Sequence, residues 1–157
     1  GSAPPVRIVL VDDHEMVIEG LKAMLAAFDS RVTVVGQAVG ADRVLSVVGD
    51  LDPDIVLCDV RMQGSSGLDV CQQLRERDPD RKVVMLSVYD DEQYLFQALR
   101  VGASGYLLKS ISSEELVRQL EFVNSGVIGP PFGLGVSQLV DIEISGRLGG
   151  LKICSNP

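Results

Sequence analysis

Long apolar runs are missing from this chain; the longest are five or six residues. A membrane-spanning helix needs about twenty, so none is expected. The opening residues, GSAPPV, carry no basic segment, no apolar stretch and no small-residue cleavage site. No secretory leader is therefore expected, the chain is expected in the cytoplasm, and Gly1-Ser2 reads as a processing remnant. Cysteine is scarce as well. Cys58, Cys71 and Cys154 are too widely spaced for a disulfide framework or a sulfur-ligated metal. Cys58 lies inside an apolar run and Cys71 at a helical position, and both read as packing residues. Basic residues are outnumbered, 14 against 22 acidic, for a net charge of −8. All of that excess falls in residues 1–125. Such a chain lacks the basic patch that nucleic-acid binding requires, so any DNA contact is expected from a segment outside it.

What remains is an ordinary globular balance, 46% apolar and 23% charged over 157 residues, expected to form one domain with a buried core. Short apolar runs at 6–11 (VRIVLV), 32–35 (VTVV), 55–58 (IVLC), 83–86 (VVML) and 105–108 (GYLL) read as strands. Several are apolar at consecutive positions, as strands covered on both faces of a parallel sheet are. Between them, 14–28, 41–49, 66–77, 91–101 and 113–124 read as helices. Ser66 with Asp69 suits a helix start. Ser112 with Glu115 has capping-box spacing, and Gly126 is placed as a helix stop. The strand–helix alternation, five times over, predicts an α/β doubly wound parallel sheet with helices on both faces.

Three segments follow: an N-terminal tail at 1–5, a (βα)5 domain at 6–125 and an extension at 126–157. The extension holds seven of the sixteen glycines and is neutral, and only VDIEI (140–144) reads as a short strand.

Ligands of an open parallel sheet bind beyond the carboxyl ends of its strands. At those ends the predicted strands carry Asp12 and Asp13, then Asp59, Ser87 and Lys109. Each alone has a plain explanation as a turn residue, a cap or a solvated charge. Together they crowd three carboxylates, which is unfavourable unless a proton or a hard cation intervenes. An oxygen-only set with room for water suits Mg²⁺. A carboxylate beside it can act as a nucleophile toward phosphorus, with Lys109 and Ser87 facing the phosphoryl oxygens.

VLVDDHEMV, DIVLCDVRM, VVMLSVYDD and GASGYLLKS closely resemble, in order, the motifs of the response-regulator receiver domain of two-component signalling. The DDH and GASGYLLK forms are most similar to the receivers that open NarL/LuxR-type transcription regulators. The resemblance spans about residues 6–125. It implies a flavodoxin-like strand order, 2-1-3-4-5, and a phosphorylation switch rather than a turnover enzyme. Asp59 matches the phospho-acceptor. Asp13 and Asp59 match Mg²⁺ ligands, with the Arg61 backbone carbonyl as another and Asp12 holding a coordinated water. Lys109 matches the phosphate-pairing lysine, Ser87 the switch hydroxyl and Tyr106 the aromatic that turns inward behind it. Arg61 and Tyr89 occupy positions that tune phosphoryl lifetime. His14 opens the first helix, and the resemblance assigns it no chemistry.

Two departures from the pattern stand out. Ser110 replaces the proline that often follows the lysine, which puts a cis peptide there in doubt. Gln63 replaces the proline of a frequent Met-Pro-Gly loop. The implied partners are a sensor histidine kinase, a second copy on phosphorylation, and DNA only through a helix-turn-helix domain absent from this chain. A regulator cut before its output domain is the expected reading. The switched face would be helix 4, strand 5 and helix 5, near Tyr94, Leu95 and Leu99. One alternative is a degenerate receiver that binds without being phosphorylated. Another is a haloacid-dehalogenase-like phosphohydrolase, which needs an Asp two residues after its nucleophile; His14 and Arg61 stand there instead.

Overall fold

Strand β1 (Val6–Asp12) runs through the middle of the protein with six of its seven residues buried. Its consecutive apolar side chains, which point alternately to the two faces of the sheet, are all buried. The computed structural model describes residues 3–88 and 92–126. In chain order, β1 is followed by α1 (Glu15–Ala26), β2 (Val32–Val39), α2 (Val44–Leu51), β3 (Ile55–Asp59), α3 (Gly67–Arg77), β4 (Lys82–Ser87), α4 (Glu92–Arg100), β5 (Gly105–Leu108) and α5 (Ser113–Ser125). The five strands form one sheet in the order β2-β1-β3-β4-β5, every pairing parallel. This is the expected order 2-1-3-4-5.

Two elements differ from the sequence reading. β2 is eight residues long rather than four, because Val35 is bulged out and pairing with β1 resumes at Gly36. Gly36 weakens the strand signal, yet a Cβ there would come within 2.3 Å of Leu51 Cδ1. The second helix starts as a 3₁₀ turn at Ala41–Arg43 before α2 proper. It ends at Asp52, whose left-handed φ of 46° is held by Arg81 on its carboxylate (2.9 Å) and Arg7 on its carbonyl (2.9 Å).

Both serine caps and the glycine stop form where expected. Ser66 Oγ accepts the Leu68 N–H at 3.1 Å, and Ser112 Oγ accepts the Glu115 N–H at 3.1 Å. Gly126 closes α5 with a φ of 68°. Glu115 does not complete a reciprocal box; its carboxylate accepts from Gln119 at 2.8 Å instead. The expected strand at 140–144 lies outside the described residues, as do Cys154 and the rest of the extension beyond Gly126. No helix among the described residues is long and apolar enough to cross a membrane.

Candidate functional site

The parallel sheet brings the carboxyl ends of β1, β3, β4 and β5 to one edge. Asp12 ends β1, Asp59 ends β3 and Ser87 ends β4, and all three are buried. Lys109 follows β5, fixed by its N–H donating to the Ser87 carbonyl at 2.7 Å. A cavity of about 380 Å³ opens over Asp59, Ser87 and Lys109, with Arg61, His14 and Val88 around its rim.

Lys109 Nζ lies 3.2 Å from Asp59 Oδ1 and 3.3 Å from Asp12 Oδ2. One ammonium thus serves two carboxylates. Burial and the neighbouring Asp12 charge hold the Asp59 carboxyl above its ordinary range, and Lys109 only partly offsets them. Burial works to lower Lys109, but Asp59 and Asp12 outweigh it and its pKa ends above the ordinary lysine value.

Asp13 completes the carboxylate group from the loop after β1. Its Oδ2 accepts the backbone N–H of Gln63. Its Oδ1 is buried and takes no hydrogen bond, with His14 Nδ1 2.7 Å away as a charge partner once the ring is protonated. Asp12 Oδ1 accepts the His14 N–H at 2.9 Å and lies 3.3 Å from the His14 ring. Among the described residues, Asp12, Asp13 and His14 are close enough to share one ion. A buried carboxylate oxygen that takes no hydrogen bond, beside the Asp12 carboxylate, fits a hard divalent cation such as Mg²⁺.

The loop after β3 is held tightly. Arg61–Met62 pairs antiparallel with Ser65–Ser66 around a turn in which Gly64 takes a φ of 77°. Gly67 N–H donates to the Val60 carbonyl at 2.8 Å, and a Cβ on Gly67 would sit 1.7 Å from the Asp59 carbonyl oxygen. Tyr106 is buried inside β5, 3% exposed, among core residues. Arg61 is exposed, and Tyr89 lies outside the described residues. The Lys109–Ser110 peptide is trans.

Of the residues expected at the sheet edge, the structure brings Asp12, Asp13, Asp59, Ser87 and Lys109 together. Sequence reasoning missed three contacts: the Gln63 N–H on Asp13, the backbone approach at Gly67 and the His14 ring over both carboxylates. Gln63 stood out only as a missing proline, and a hydrogen bond across fifty residues leaves no local pattern.

Residues 8–121 match the response regulator receiver domain. The chain belongs to that family. It is similar to the transcriptional regulatory protein MctR of Rhizobium johnstonii, 38% identical over 133 residues, covering 85% of this chain and 61% of MctR. It is also similar to the nitrate/nitrite response regulator protein NarL of Escherichia coli K12, 36% identical over 122 residues, 78% of this chain and 56% of NarL. A solved LuxR-family two-component response regulator from Aurantimonas sp. SI85-9A1 superposes with a TM-score of 0.72 at 30% identity, covering 78% of this chain and 86% of that one. The receiver therefore spans little more than half the length of the curated relatives it matches. Within it, the site occupies the strand-end edge that open α/β sheets use for ligands.

Proposed function

We propose that this receiver takes a phosphoryl group onto Asp59 and uses it as a switch. The observation that carries the reading is the convergence of Lys109 on Asp59 and Asp12, at 3.2 and 3.3 Å, at the floor of an open cavity. A carboxylate oxygen of Asp59 attacks phosphorus, and the bond from phosphorus to the donor's leaving group breaks, leaving an acyl phosphate. The donor is the phosphohistidine of a sensor histidine kinase, or a small acyl phosphate such as acetyl phosphate. Asp13, Asp59 and the Arg61 carbonyl would hold Mg²⁺, with Asp12 contributing through water. When bound, Mg²⁺ neutralises the phosphoryl oxygens and offsets the repulsion among the carboxylates.

Lys109 meets the phosphoryl charge at the moment it arrives, and Ser87 donates its hydroxyl to one oxygen. Drawing Ser87 toward phosphorus would free space for Tyr106, buried on the neighbouring strand β5. The face of α4, β5 and α5 is thereby biased between two arrangements. Arg61 and Tyr89, two positions after Asp59 and Ser87 in the sequence, would set the lifetime of the acyl phosphate. The output is transcriptional, through a helix-turn-helix domain beyond this chain and through pairing of two phosphorylated copies.

Intact mass after incubation with acetyl phosphate and Mg²⁺ tests the reading. One added phosphoryl group is expected, absent from Asp59→Asn and absent without Mg²⁺. A folded parent that gains no mass and binds no beryllofluoride overturns it, and the chain is then a receiver that works by binding alone.

A further inference from the structure

Asp13 divides its two oxygens between different tasks. Oδ2 accepts the Gln63 backbone N–H, while Oδ1 is buried and takes no hydrogen bond, with the His14 ring as its nearest charge partner at 2.7 Å. Both residues sit on loops, Asp13 after β1 and Gln63 in the turn that follows Asp59, fifty positions on. A loop carboxylate can swing about two side-chain torsions, and each rotamer points its free oxygen elsewhere. One fixed donor removes that freedom. It leaves a single buried oxygen, beside Asp12 and the His14 ring.

We infer that the Gln63 backbone N–H is a positioning group for the cation site: it locks the Asp13 carboxylate so that Oδ1 is presented to Mg²⁺. The inference rests on the Mg²⁺ reading of the site given above. The Gln63 side chain is exposed and is not required; the amide is. A proline at 63, as the family often has, offers no N–H, so this chain ties Asp13 in a way that such a loop does not. Hydrogen bonds to a ligating carboxylate are worth tenfold or more in metal affinity in other sites.

Gln63→Pro is structurally permissible. Position 63 is the first central residue of its turn, where proline is favoured, and Met62 before it is already extended. A backbone ester at position 63, made by semisynthesis, removes the same N–H without the proline ring. Gln63→Ala keeps it.

The experiment is Mg²⁺ titration by calorimetry, without any phosphoryl donor, on the parent, Gln63→Ala, Gln63→Pro, the ester and Asp13→Asn. Each variant's unfolding is recorded beside it. The Gln63 amide proton is followed by NMR. The expected result is affinity at parent level in Gln63→Ala and about tenfold weaker in Gln63→Pro and the ester. The Gln63 amide proton should be shifted downfield in the parent and move upfield in Asp13→Asn. Parent-like affinity in both the proline and ester variants overturns the inference while leaving the Mg²⁺ reading standing. So does an equal loss in Gln63→Ala, which would assign the effect to the side chain. A parent that binds no Mg²⁺ overturns both.

Discussion

Lys109 and Asp59 meet at 3.2 Å although fifty residues separate them, because β5 and β3 flank β4 and end at the same edge. The ammonium is also 3.3 Å from Asp12, so it holds together two carboxylates that would otherwise repel. Replacing it leaves buried negative charge without a counterion, which costs more than the pair contributed. Lys109→Met should therefore unfold at a lower temperature than the parent in metal-free buffer. It should also slow labelling by acetyl phosphate about a hundredfold, the scale of losing one charge-stabilising donor. Time-resolved intact mass and a thermal melt read the two effects separately.

Asp59 presents the opposite case. Its carboxyl is held above the ordinary range by burial and by Asp12, with Lys109 only partly compensating. A carboxyl whose folded pKa is raised costs stability when ionised, and that cost vanishes as pH falls below the unfolded value. Asp59→Asn should thus melt a few degrees above the parent at pH 7 in EDTA. The gain should shrink toward zero as the pH drops through the carboxylate range. A parent melting above the variant at pH 7 would contradict this account.

Gly67 lies where β3 and the start of α3 touch backbone to backbone. A methyl group there would fall 1.7 Å from the Asp59 carbonyl oxygen, so the loop must move. Gly67→Ala should cost about 1–3 kcal/mol, as overpacking does. It should also slow Asp59 labelling, because the displaced atoms belong to the acceptor itself. Chemical denaturation together with intact mass tests both at once.

Burial pushes the Cys71 thiol up to about 11 and likewise raises the Cys58 thiol well above its ordinary value. Neither forms thiolate near neutrality, and thiolate is the reactive species. At pH 8, iodoacetamide should leave Cys58 and Cys71 unmodified in the folded protein and label both in urea. Peptide mapping assigns each site.

Adding Mg²⁺ should raise the parent's stability by about 1.4 kcal/mol at a concentration ten times its dissociation constant. Asp13→Asn should lose most of that increment. Denaturant melts with and without the ion measure it directly.

Strand and helix placement was legible because both signals are local. Consecutive apolar residues such as Ile8–Val11 mark a strand covered on two faces, and Ser112 and Gly126 mark the ends of α5. β2 was legible only in its first half, since Gly36 and the bulge at Val35 break the pattern there. Of the site, the residue types and their positions after each strand were readable, because a parallel sheet sends every carboxyl end to one edge.

The amino-acid order by itself determined the (βα)5 alternation and hence the strand-end location of Asp12, Asp13, Asp59, Ser87 and Lys109. Connections that are short and right-handed leave few other arrangements. Tertiary structure alone decided which oxygen faces which donor: Lys109 shared between Asp59 and Asp12, Gln63 on one oxygen of Asp13, Gly67 against Asp59. Those pairings depend on distances of a few ångströms between loops far apart in the chain. Local propensity carries no information at that scale.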